Sequence, residues 1–118
     1  KLLHNFVSLG SMTLIAEAAA CAAKGGVSMD ALVDCLAKGG GSGAALERLR
    51  PFILEGDNSA LRFSIANAAK DLSYYRQYVD DMKSAHKVAD SVSDTLNQLV
   101  DQGHGSAYVP EQVRLLQD

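Results

Sequence analysis

Apolar and small residues follow one another almost without pause at the start of the chain, where Leu2, Leu3, Phe6, Val7, Leu9, Met12, Leu14 and Ile15 lead into an alanine-rich stretch. Ala, Leu and Met are strong helix formers, so the pattern predicts a long helix over residues 1–24. Gly25-Gly26 stops it, because glycine takes the left-handed conformation that closes a helix. A helix this apolar on all sides has to be covered nearly all round, by the rest of its domain or by a partner. The next helix begins at Ser28 as N-cap with Asp30 in its first turn, and Met29, Leu32, Val33 and Leu36 form one apolar stripe. Gly39-Gly40-Gly41-Ser42-Gly43 ends it.

A shorter third helix fits Ala44 to about Arg50, with Pro51 either kinking it or starting a further turn through Leu54. After the turn-rich Glu55–Ser59, a fourth helix is expected from about Phe63 to Met82. Its Ile65, Ala68, Ala69, Leu72 and Tyr75 are spaced for burial, and it should cross the first helix. Val88, Val92, Leu96 and Leu99 mark a fifth helix over about Val88 to Asp101, closed by Gly103. Pro110 suits the first position of a short terminal helix through Leu116. No run of alternating β-branched and polar residues predicts a strand. The chain therefore reads as all-α, a single domain over residues 1–118 with about six helices.

Composition narrows the function classes. At 118 residues and 47% hydrophobic the chain is long enough for one domain with a real core. Its 11 basic and 14 acidic residues leave a net charge of −3 with no Lys/Arg cluster, which argues against nucleic acid. Only Leu2 to Ala23 resembles a membrane span, and His4, Asn5, Ser8, Ser11, Thr13 and Glu17 interrupt it, so no membrane partner is expected. With no basic leader or cleavage site beside it, the protein reads as soluble and cytoplasmic. Cys21 and Cys35 fall within predicted helices without a ligand pattern and read as buried free thiols. His4, His86 and His104 have no partner at metal-ligand spacing, and no metal site is expected.

Lys1, Asn5 and Ser8 stand at i, i+4 and i+7 and so share one face of the first helix, whose other faces are apolar. That stripe is either a strip facing solvent or a domain partner, or the wall of a cavity. In a cavity, a lysine beside an amide would protonate a carbonyl oxygen while the amide fixes a substrate hydroxyl or carboxylate. Phe63 and Lys70 are seven apart, on one face of the predicted fourth helix, with Asp71 following. Lys70 alone reads as a solvated lysine, and Tyr74 and Tyr75 as packing. The Lys38–Gly43 segment lacks the Gly-Lys-Ser/Thr and preceding strand of a phosphate loop, so it reads as a helix stop.

Lys1-x-x-x-Asn5, the small-residue Ala16-Glu17-Ala18, the Gly26-Val27-Ser28 turn into a helix, and Phe63 followed by Lys70-Asp71-Leu72 form an ordered series. It resembles the C-terminal domain of the 3-hydroxyisobutyrate dehydrogenase (β-hydroxyacid dehydrogenase) family over nearly the whole chain. The resemblance implies a helical domain like the C-terminal domain of 6-phosphogluconate dehydrogenase, with a Rossmann domain lying outside these residues. It further implies Lys1 as general acid/base and Asn5 as substrate-binding residue. Lys70 and Phe63 are implied on the cofactor side of the cleft, with Asp71 orienting Lys70 or serving only in packing. The implied cofactor is NAD or NADP, gripped mainly by that other domain, so the chain alone is expected to be inactive. A small-molecule substrate and a homo-oligomer assembled through the first helix complete the expectation.

The leading function is thus hydride transfer between a nicotinamide cofactor and a small 3-hydroxy acid or its semialdehyde. Two alternatives stand beside it: a helical dimerisation or interaction domain without chemistry, and an imine reductase of the same architecture.

Overall fold

In the computed structural model, which describes residues 1–118, the chain forms α1 (Leu2–Lys24), α2 (Met29–Ala37), α3 (Ala44–Glu55), α4 (Ile65–Met82), α5 (Lys87–Leu99) and α6 (Gln112–Leu115). There is no sheet, only one antiparallel bridge between Ser64 and Tyr108. Helix α1 is long and apolar enough to cross a membrane, and in this fold it is the central helix. Its Leu9, Met12, Thr13, Ile15, Ala16, Ala19 and Ala20 form a buried inner stripe, against which α2, α3, α4, α5 and α6 all pack. Leu46 and Leu49 of α3, Ile65, Ala68 and Leu72 of α4, and Leu96 and Leu99 of α5 complete one continuous core. Midway along α4, the buried Tyr75 stacks on Phe6 with ring centroids 4.3 Å apart, a separation suited to offset aromatic contact.

Two of the helix starts, those of α2 and α4, have a side-chain cap. Ser28 Oγ accepts from the Ala31 N–H at 3.3 Å and Ser64 Oγ from the Asn67 N–H at 3.1 Å, which satisfies an N–H that has no partner inside its helix. Helix α3 does not stop at Arg50, as the proline suggested, but runs unbroken through Pro51 to Glu55. A proline inside a helix costs about 3 kcal/mol. Here the buried Leu46, Leu49 and Ile53 lie on both sides of it along one face, and their burial offsets that cost. Gly56, left-handed at φ 70, then closes the helix.

Helix α4 begins two residues later than expected, because Ser64 is its cap and Phe63 precedes it in an extended segment. That segment is held by the tail of the chain: the Val109 N–H donates to the Phe63 carbonyl at 2.9 Å and the Ile65 N–H to Ala107 at 2.8 Å. Beyond α5 the helical path widens into a π-type turn over Val100–His104, where Gly103 adopts φ 94. The expected terminal helix divides into a single tight turn, Val109–Glu111, and α6. The Glu111 carboxylate caps the Tyr108 N–H at 2.7 Å.

The two cysteines depart from expectation, since Cys21 and Cys35 are both exposed and unpaired. Each lies round the helix from the residue that faces inward, Ala20 in α1 and Val33 in α2, so helical position outweighs the ordinary preference of a thiol for the interior.

Two polar contacts between helices are testable. Thr13 Oγ1 donates to Gln112 Oε1 at 3.3 Å, joining α1 to α6, while Gln112 Nε2 is buried without a partner. Thr13→Val should therefore strand the whole amide and cost about 1–3 kcal/mol, whereas Thr13→Val with Gln112→Leu should recover most of the loss. Urea unfolding of the single and double variants checks this; a double variant less stable than either single would contradict it. Between α4 and α5, Asp90 accepts from His86 Nδ1 at 2.6 Å and from Arg76 Nε at 2.9 Å. The His86 hydrogen bond is the main cause that holds its carboxyl below the ordinary value of 3.8, with Arg76 adding to it against partial desolvation. A depressed folded pKa contributes stability that is present above the unfolded value and is lost as pH falls through the folded one. Asp90→Asn should accordingly flatten the fall in stability below about pH 4, read from denaturation midpoints across an acid series.

Candidate functional site

The polar stripe on α1 meets a cleft. Asn5 and Ser8 line it together with His4, Leu9 and Met12 of the same helix, Ala44 and Arg48 of α3, Leu61 and Phe63 from the segment before α4, and Asp71 of α4. Its volume is about 230 Å³, below the roughly 300–1,000 Å³ of pockets that hold drug-sized ligands, so it suits a small molecule.

The crossing of α1 and α4 sets the geometry. Asn5 Nδ2 donates to Asp71 Oδ2 at 3.4 Å, and Asn5 Oδ1 lies 3.1 Å from His4 Nδ1. The Asn5 amide is therefore held from both ends, oriented before any ligand arrives. Asp71 sits where α4 passes the first turns of α1, with Leu72 beside it fully buried against the core, so the packing of its neighbour fixes the position of its carboxylate. Phe63 owes its place to the backbone bond from Val109 and forms an apolar wall with Leu61, Leu9 and Met12.

The expected site residues divide into two groups. Asn5 and Phe63 line the same cleft, and Ser8 with them. Lys1 is the N-cap of α1 and exposed, one turn before Asn5, whose N–H donates to the Lys1 carbonyl at 2.9 Å. Lys70 is exposed on α4 and is not among the residues lining the cleft. Phe63 and Lys70 do not share a helix face, because Phe63 precedes the helix. Asp71, expected to orient Lys70 or only to pack, instead joins Asn5. Arg48 and His4 were not legible as cleft residues. Arg48 follows Ala44 by one helical turn, a spacing that places both on one face, but nothing in the sequence shows which face turns towards α1.

The chain contains no strand leading into a glycine turn, the arrangement that brings backbone N–H groups to a pyrophosphate. The glycine-rich segment before α3 packs closely on α2: a Cβ on Gly41 would come within 2.7 Å of the Leu36 side chain, which would have to shift to admit it.

This fold, six helices about a long central one, is that of the C-terminal domain of dehydrogenases of the 3-hydroxyisobutyrate type. The chain belongs to the family described as "NAD-binding of NADP-dependent 3-hydroxyisobutyrate dehydrogenase", whose model matches residues 1–116. Among solved structures it is similar to the crystal structure of 3-hydroxyisobutyrate dehydrogenase from Salmonella typhimurium, with a TM-score of 0.88 and 18% identity over 98% of this chain. The chain spans 40% of the length of that protein. No curated protein matches it.

Proposed function

We propose that this chain is the substrate-binding and proton-transferring half of an NAD- or NADP-dependent dehydrogenase acting on a small 3-hydroxy acid or its semialdehyde. The observation that carries the proposal is the Asn5–Asp71 hydrogen bond across α1 and α4. It presents an oriented amide and a carboxylate to a small, part-apolar cleft, one helical turn from Lys1.

The nicotinamide, when bound, supplies or accepts the hydride. On this chain, Lys1 Nζ donates a proton to the carbonyl oxygen as the carbon is reduced, and takes one from the hydroxyl in the reverse direction. Asn5 Nδ2 holds the same oxygen in line with the lysine, and Asp71 holds Asn5. The wall of Phe63, Leu61 and Met12 excludes water from the carbon skeleton and favours a substrate with an apolar branch. Phe63, at the cleft, and Lys70, exposed on α4 and outside the cleft lining, are the residues of this chain proposed to meet a cofactor carried by another domain.

In the intact protein, Lys1→Met should lower kcat by roughly a hundredfold or more, while Asn5→Ala should also raise KM because it positions substrate. Steady-state assays on a panel of 3-hydroxy acids, semialdehydes and imines test this. Near-normal turnover in Lys1→Met would remove the lysine from the chemistry, and reduction confined to imines would favour the imine reductase.

We also infer a homo-oligomer, assembled through the outer face of α1. Leu3, Val7 and Leu14 are 57, 62 and 70% exposed, and Val88 at the start of α5 is 69% exposed. Val7, Leu14 and Val88 border one apolar groove of about 370 Å³ between the two helices. An exposed apolar surface of this kind favours association. Sedimentation of the chain over a micromolar dilution series should show a dimer or larger species that Leu14→Glu dissociates. A monomer throughout the series would refute the assembly.

A further inference from the structure

We infer that Gly103, in the widened turn after α5, is a positioning residue for the cleft: through the tail of the chain it holds the Phe63 wall in place, and with it the preference for a branched substrate. The inference rests on the function proposed above and names what fixes the apolar side of that site. Leu61 and Phe63 are the cleft residues that no helix carries, since α3 ends at Glu55 and α4 begins at Ile65. Their segment is anchored along its backbone by the tail. The Ala66 N–H donates to the Gly105 carbonyl at 2.9 Å, the Ile65 N–H to Ala107 at 2.8 Å, and the Val109 N–H to the Phe63 carbonyl at 2.9 Å. The first two donors belong to the opening turn of α4 and have no partner inside that helix, so the tail meets a need that the helix cannot meet itself.

The tail reaches this position because the chain leaves the helical path at Gly103, with φ 94 and ψ 11, and returns to φ −60 at Gly105. A further bond from the Ala107 N–H to the His104 carbonyl at 3.1 Å closes the turn. The two glycines are needed for different reasons. A Cβ on Gly105 would stand 3.4 Å from the Ala66 Cβ, so the tail lies directly against the start of α4. At Gly103 a Cβ would meet nothing within 4 Å. Space does not call for glycine there, but the backbone angle does: a side chain makes a positive φ costly, and asparagine is among the few residues that tolerate it. Relaxing that angle would carry Gly105 and Ala107 away from α4, release the Phe63 carbonyl and loosen the wall against which an apolar branch lies. Widened turns of this type recur at functional sites in other helices.

Two measurements on the intact protein test this, with Gly103→Ala as the disrupting variant and Gly103→Asn as the conservative one. Calorimetric titration with 3-hydroxyisobutyrate and with the unbranched 3-hydroxypropionate should show the wild type binding the branched acid about fourfold more tightly, the gain from burying one further methyl group. Gly103→Ala should bring the two affinities together, and Gly103→Asn should restore the difference. By amide hydrogen exchange, the Ile65, Ala66 and Val109 N–H groups of Gly103→Ala should exchange roughly tenfold faster than in the wild type, matching the cost of a side chain in the left-handed region. Ala16 and Ala19 in the core should remain the slower to exchange. An undiminished preference for the branched acid in Gly103→Ala, or unchanged exchange at the three amides, would overturn the role of Gly103 and leave the dehydrogenase proposal intact. Exchange of those amides together with the core as one unit would also overturn it, because the turn would then support the whole fold and not the wall. A wild type that binds neither acid would overturn the dehydrogenase proposal itself.

Discussion

The inner stripe of α1 is the surface on which the rest of the molecule is laid. Ala16 and Ala19 are completely buried and Ala20 nearly so, and side chains this short let neighbouring helices approach the α1 backbone closely. Larger residues there would force the packed helices apart, and a close-packed interior tolerates little extra volume. Towards its N-terminal end the same helix changes character. Asn5 and Ser8 take the place of alanine and leucine on the side facing α3 and α4, and the cleft opens between these three helices. Fold and candidate site are thus consecutive stretches of one helix, the first specified by small apolar residues and the second by polar ones.

The Asn5–Asp71 contact shows how the two are coupled. It joins residues 66 positions apart, and neither would be placed without the packing beneath it. Leu72, adjacent to Asp71, is fully buried, as is Ile65 at the start of the same helix. One turn further along, Tyr75 and Phe6 stack and tie the same pair of helices together. A part-buried amide oriented by a carboxylate is poised to bind before a ligand enters, which lowers the entropic cost of recognition.

Much of this was legible from residue spacing. The apolar positions of α4 and α5 indicated the buried faces, Gly25-Gly26 the end of α1, and Ser28 the start of α2. What spacing could not give was anything decided by contact between distant segments. Phe63 looked helical because it is seven residues from Lys70, but pairing of its backbone with Val109 keeps it extended. Pro51 was expected to kink the third helix or to start a further turn, and burial on both sides of it carries α3 through. The cysteines looked buried by type, and their position round the helix exposes them. For the site, the stripe of Lys1, Asn5 and Ser8 was visible as a stripe, but that Asn5 and Ser8 wall a cavity while Lys1 stays exposed outside its lining depends on α3 and α4 standing opposite, and the same is true of Arg48. Family resemblance supplied the roles of Lys1 and Asn5; the partnership of Asn5 with Asp71 came only from the helix crossing.

The apolar circumference of α1 has a further consequence. One face, from Leu9 to Ala20, is committed to the core; a second, with Asn5 and Ser8, to the cleft; and a third, with Leu3, Val7 and Leu14, is exposed. These faces are not independent. Val7 and Leu14 border both the groove beside α5 and the hollow beneath the glycine-rich turn, which is also lined by His4 and Ser8 of the cleft wall. A body seated on the outer face would therefore bear on the same turns of α1 that orient Asn5. Of Asp, Glu, Lys and Arg, the 23 residues of α1 contain only Glu17, exposed beside the outer groove, and Lys24 in the last turn, whereas the later helices carry the usual solvated face.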